Sequence, residues 1–222
     1  PSGYPKGTLE ESSAEKVATN LFKKLRRFND NLYTAGEAKI YFGTISGSRT
    51  IRPYSQRDYQ VARVDLFRNI NEYPILGQDP DKGLLHAIVK NPTEEKDNLN
   101  YPVIEAYYNE IETESSATYP ILTVREAWSA ISTDRGVITS VLSRDFNPFE
   151  KYSLQRVENI LIDNAYLAYY ETEEAQKFLQ PIWVFSGKYT TRGTEGCAIT
   201  IYYPAIKGEY IQQIYCLPQE LF

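Results

Sequence analysis

Residues 166–187 read YLAYYETEEAQKFLQPIWVFSG. Two apolar, aromatic runs flank a short acidic stretch, and Gly187 closes the second run. Aromatic and β-branched residues at this density favour strands over helices. In an extended chain alternate side chains face opposite ways. Tyr166, Ala168 and Tyr170 therefore share one face, with Leu167 and Tyr169 on the other. Both faces are apolar enough to be covered, which predicts a central strand. Thr172, Glu173 and Glu174 form the exposed connection. Pro181 is expected at the first residue of the next strand, where its missing N–H costs least. In that strand Trp183 and Phe185 lie opposite Ile182 and Val184. The stretch reads as the structural centre of a sheet, not as a place where chemistry happens.

Outward from this pair the chain alternates between one helical and several extended segments. Ser12 and Glu15 fit the S-x-x-E capping box, which satisfies orphan N–H groups at a helix start. Ala14, Val17, Ala18, Leu21, Phe22 and Leu25 follow at spacings of three and four, predicting an amphipathic helix that ends near Phe28. The basic run KKLRR at 23–27 suits the helix C-terminus, where cations complement the dipole. Strands are expected at 37–45, 59–70, 73–77 and 84–90, with a turn at 46–48. NPTEEKDNLN (91–100) is polar and rich in Asn, and it reads as a linker. Beyond it a strand at 102–112 precedes a helix at 124–132, which opens on a second capping box, Thr123 with Glu126. Strands then follow from Gly136, at 157–170, 181–186 and 197–203.

The expected organisation is a flexible leader (1–11), an N-terminal α+β module (12–92) and a C-terminal α+β module (101–222). Each module packs one amphipathic helix on an antiparallel sheet, so the fold class is α+β. DLFRNINEYPILG (65–77) and AYLAYYETEEAQKFLQPIWVFSG (165–187) share a strand, a polar turn, a Pro-marked re-entry and a glycine, a weak internal repeat.

Bulk composition narrows the function classes. The 222 residues are 42% apolar and 24% charged, typical of a globular chain rather than a disordered one. A formal charge of −5 gives no broad positive field, which argues against nucleic acid as a partner. No run of 18 or more apolar residues is present, so no segment is expected to span a bilayer as a helix. The start, PSGYPKG, has the character of a processed end.

Candidates for catalysis are few. His86 is the only histidine, which leaves no material for a multi-His metal site and little for a nucleophile–His–acid triad. It reads as a hydrogen-bonded core or surface residue. Glu110, Glu112 and Glu114 share a parity that Glu105 does not, and Glu173 and Glu174 sit in a turn. No spacing singles out the close, unequal carboxyl pair that glycosidic hydrolysis requires. Asp79-Pro-Asp-Lys-Gly83 begins like a calcium loop, but its glycine comes too early and LLHAIV follows in place of ligands, so it reads as a turn. Catalytic, cofactor-binding and metal-binding residues are thus all expected to be absent. Cys197 and Cys216 are the only cysteines. If AIKG (205–208) is a turn, they face each other across an antiparallel hairpin, close enough for a disulfide. The alternative is two buried free thiols.

YPILTVREAWSAI (119–131), AYLAYYE (165–171), LQPIWVFSG (179–187) and ITIYYPAI (199–206) resemble segments of the YycH/YycI-type extracytoplasmic accessory proteins, and more widely of PepSY-like α+β modules. VDLFRNINEYPILG (64–77) is similar to an earlier strand pair of the same plan. The resemblance implies a non-enzymatic regulatory or interaction domain, membrane-anchored or secreted in a bacterium. Its partner would be another protein, such as a membrane sensor kinase. It brings no catalytic residue with it. The alternative is a module that binds cell-wall glycan or peptide, with the 19 tyrosines as a stacking platform. That reading gains if several of Tyr101, Tyr107, Tyr108, Tyr166, Tyr169 and Tyr170 are exposed on one face, and loses if they are buried.

Overall fold

The computed structural model describes residues 9–28, 32–33, 38–90, 103–111, 116–135, 137–142, 147–149, 157–172, 176, 178–191, 194–195 and 198–208. Among the described residues the content is mixed α/β, with two α-helices and two mostly antiparallel sheets. It divides into two compact units. The first holds residues 1–72, 82–110 and 145–153, and the second holds 73–81, 111–144 and 154–222. The 91–100 stretch read as a linker lies outside the described residues.

The first unit opens with helix α1, Glu11–Lys24, which buries Ala14, Ala18 and Phe22 at intervals of four. The apolar stripe is as expected, but the start is not. Glu10 is the N-cap and makes no side-chain capping bond, so the Ser12–Glu15 box does not form the helix start. Leu9, within the stretch read as a leader, is buried in the core and holds the entry to the helix. Glu11 places a negative charge in the first turn, and Lys23 and Lys24 place positive charges in the last. The helix stops earlier than Phe28. Arg26 adopts φ 56°, while Arg26 N–H donates to Lys23 O and Arg27 N–H to Phe22 O. These are the two bonds of a Schellman motif, with arginine where glycine is usual.

Five strands make the sheet of this unit, in the order β2-β1-β3-β6-β7. They are β1 (Ala38–Ser46), β2 (Arg49–Ile51), β3 (Val61–Leu66), β6 (Leu85–Lys90) and β7 (Val103–Tyr108). Ala62, Val64 and Leu66 of β3 and Leu85, Ala87 and Val89 of β6 form one core with Leu9 and the buried stripe of α1. All six residues of β3 are buried. The expected single strand over 59–70 breaks at Phe67, and β4 (Arg68–Ile70) leads through Asn71, at φ 56°, towards β5 (Tyr73–Leu76).

The second unit contains β5, α2 (Val124–Ala130), a π-helical turn (Ile131–Arg135), β8 (Val137–Leu142), β9 (Asn159–Tyr170), β10 (Gln180–Thr191), β11 (Thr194–Glu195) and β12 (Ala198–Pro204). Within this unit the sheet order is β5-β9-β10-β12-β8, with β11 on β10. One pairing departs from the expected antiparallel plan: β5 runs parallel to β9, matching Ile75 with Tyr169 and Leu76 with Tyr170. The central position of residues 166–170 follows, with β10 on the other side. Ala168 and Tyr170 are buried there, while Leu167 and Tyr169 are half-buried. The second capping box forms as expected, with Thr123 N–H donating to Glu126 Oε2 at 2.7 Å and Glu126 N–H to Thr123 Oγ1 at 3.3 Å. The Thr123 hydroxyl also donates to Glu126 Oε2, and this bond first of all holds the Glu126 carboxyl below its usual range.

Gly187 does not close its strand, as the sequence suggests. β10 begins one residue before Pro181 and continues to Thr191. The β9–β10 register shifts between Ser186 and Gly187, the mark of a β-bulge. A Cβ at Gly187 would lie 2.0 Å from the backbone oxygen of Leu161, so the glycine lets two backbones approach rather than ending anything. Gly187→Ala is therefore expected to destabilise the fold by about 1–3 kcal/mol, the range for forced overpacking. Chemical denaturation followed by tryptophan fluorescence checks it, since both tryptophans, Trp128 and Trp183, lie in this unit.

Candidate functional site

The sheet of the first unit has two unlike faces. One is the apolar face under α1. The other carries Arg63 and Asp65 of β3, His86 of β6 and Glu105 and Tyr107 of β7. Strand register explains the grouping: Asp65 lies opposite His86, and His86 opposite Tyr107. Arg63 and Asp65 are two apart on one strand and so face the same way. Arg63 Nε donates to Asp65 Oδ2 at 2.8 Å and Nη2 to Oδ1 at 2.7 Å, a bidentate pair with Asp65 wholly buried and Arg63 nearly so.

Gly83 connects this pair to the histidine. Its N–H donates to Asp65 Oδ1 at 2.9 Å, and its carbonyl lies 3.1 Å from His86 Nδ1. A neutral imidazole protonated on Nδ1 makes that contact a hydrogen bond. A Cβ at Gly83 would come within 2.7 Å of Leu66 O, so only glycine allows the chain this close to β3. His86 Nε2 faces Glu105 Oε1 at 3.7 Å, beyond hydrogen-bond length, and the imidazole stacks on Tyr107 with centroids 5.3 Å apart. Burial is the main cause that pushes the His86 pKa below its ordinary value. The Arg63 charge adds to it, while the Gly83 carbonyl, Asp65 and Glu105 oppose it. Because the folded-state pKa is lowered, His86 adds stability above the unfolded value, near 6.5, and that stability is lost as pH falls below it.

β7 ends the sheet, and among the described residues no strand pairs with its outer side. Its register shifts between Ile88 and Val89, turning Ile104 outward, where it is 56% exposed. Tyr108 is also exposed, under the Arg27 guanidinium at 5.0 Å, and Arg27 Nη1 pairs with Glu110 Oε1 at 2.6 Å. The combination is an apolar, acidic edge strand. A bulge on such an edge discourages indiscriminate strand pairing while leaving the side chains on offer.

The second unit has its own buried polar group. The Tyr202 hydroxyl donates to Gly77 O at 3.3 Å, and Ser140 Oγ donates to Asp81 Oδ2 at 2.9 Å. Burial above all raises the Tyr202 pKa far beyond the usual phenol range. Asp81 N–H donates to Asp79 Oδ1, which makes the 79–83 segment a turn, as expected. Ile121, Val124 and Trp128 are exposed around α2, although Trp128 also lies against Phe185.

Of the residues singled out from sequence, His86 and Glu105 are brought together, and Glu110 pairs with Arg27 instead. Cys197, Cys216, Glu112, Glu114, Glu173, Glu174 and Tyr101 lie outside the described residues, and with them the expected disulfide. Of the tyrosines proposed as a stacking platform, Tyr166 and Tyr169 are half-buried in the second unit. Tyr107 and Tyr108 alternate across β7, and Tyr170 is buried in the other unit. The Arg63–Asp65 pair was not singled out, yet opposite charges at i and i+2 in an otherwise apolar strand were its visible signal. No described helix is long and apolar enough to cross a membrane. No family model, no curated protein and no solved structure matches the chain.

Proposed function

We propose that this chain is a non-enzymatic regulatory or interaction domain that works outside the bacterial cytoplasmic membrane, in a membrane-anchored or secreted protein of the YycH/YycI or PepSY-like type. In this reading the two units are two renderings of one plan, with α2, through buried Ala127 and the contact of half-exposed Trp128 with Phe185, as the short counterpart of α1. The observation that carries the reading is the edge strand β7, which has no strand on its outer side among the described residues, with Ile104 and Tyr108 exposed beside Glu105 and Glu110. An edge of this kind suits strand addition by another protein, in which backbone bonds supply affinity and side chains specificity. A partner of matching chemistry is an extended, apolar and basic segment, as the extracytoplasmic part of a membrane sensor could present.

The test is co-purification of the full-length protein with a sensor kinase from membranes. Ile104→Asp with Tyr108→Asp is expected to abolish it while circular dichroism stays unchanged. Undiminished co-purification by the folded double variant overturns the role of β7. Hydrolysis of a glycan or peptide panel that disappears on changing one carboxylate overturns the non-enzymatic reading.

A further inference from the structure

We infer that His86 is an acid-sensitive latch on edge strand β7: neutral, its ring holds the strand through Tyr107, and protonated, it lets the strand go. The groups facing the imidazole are few. Arg63 and Asp65 approach from β3, Glu105 and Tyr107 from β7, and the Gly83 carbonyl from the preceding turn. The neutral ring is satisfied as it stands, with Nδ1 on Gly83 O and a flat face on Tyr107. A second proton would go on Nε2, where the nearest carboxylate oxygen is 3.7 Å away, too far to accept a hydrogen bond.

Competing charges decide the outcome. Asp65 cannot answer a new cation freely, because its two oxygens already accept from Arg63 and from Gly83 N–H. Glu105 is more than half exposed, so water screens its attraction. The His86 side chain, by contrast, is only 14% exposed, and a charge placed there forfeits hydration. The cheapest relief is to let water in. Of the elements around the ring, β7 is the one that can yield: among the described residues it has a sheet neighbour on one side only, and four of its six side chains are exposed. β3, on the other side, is buried throughout. Strands with exposed hydrogen bonds and few buried contacts open first. Glu105 acts as the brake, since its charge is what partly retains an imidazolium in place.

The proposal deepens the reading of β7 as a docking edge, because pH would then set how firmly that edge is presented. Its test uses no partner, so the latch and the docking role can fail separately. Amide hydrogen exchange of the full chain, corrected for intrinsic rates, is measured at about pH 7 and about pH 5, the range in which histidine titrates. Protection of the β7 amides is expected to fall several-fold at the lower pH, relative to β1 and β3. His86→Gln removes the difference, and Glu105→Gln enlarges it. If His86→Gln fails to fold, the native chain decides alone: the midpoint of β7 loosening must coincide with the imidazole titration seen by NMR. Unchanged protection, tighter protection at acid pH, non-coincident midpoints, or an equal loss across β1, β3 and β7 overturns the latch.

Discussion

Asp65→Ala is expected to remove about 3–5 kcal/mol of stability, the range for breaking a buried ion pair by deleting one partner. Arg63 would keep its charge in the interior with no carboxylate, and Gly83 N–H would lose its acceptor. Against a total that is typically about 5–15 kcal/mol, this loss brings the first unit close to unfolding. Urea denaturation followed by far-ultraviolet circular dichroism measures it. The companion double variant Arg63→Met with Asp65→Leu removes both charges and is expected to recover most of the loss, because well-packed apolar groups replace such pairs at little cost. A double variant as unstable as the single one would mean that the Gly83 bond, not the stranded arginine, sets the penalty.

Phe22→Ala is expected to cost about 3–5 kcal/mol, the usual range when a buried aromatic ring is cut back to a methyl group. Phe22 is wholly buried, the last residue of the α1 stripe and in one cluster with β3 and β6. Leu25→Ala is the natural control. It lies three residues further on, but half of it is exposed, and its loss should stay within about 0.5 kcal/mol. Equal effects from the two variants would show that α1 is held by something other than its buried face.

How far the fold could be read in advance depended on whether the deciding forces were local. The α1 stripe and the Thr123–Glu126 box are local, and both are legible in spacing alone. The α1 start is not, because a buried Leu9 fixes where the chain enters and outweighs the box that Ser12 offers. The true length of β10 was hidden by Gly187. From sequence a glycine after an apolar run resembles a terminator, whereas its reason is Leu161 on the neighbouring strand. The polar sheet face was hidden in a similar way. VARVDL looks like an imperfect alternation until β6 places His86 next to Asp65 and β7 places Tyr107 next to His86. The candidate site was therefore legible as residue types and illegible as a grouping.

The parallel match of β5 with β9 has a consequence for how the protein comes into being. Ile75 and Leu76 leave the ribosome long before Tyr169 and Tyr170 exist to receive them. Pairings so distant along the chain are slow to close, because the entropy of a large loop must be surrendered before any bond repays it. The first unit has its helix and the five strands of its sheet once β7 has emerged, with residues 145–153 of that unit still to come. The second must wait for β12, and until β9 emerges the side of β5 that pairs with it has no partner strand.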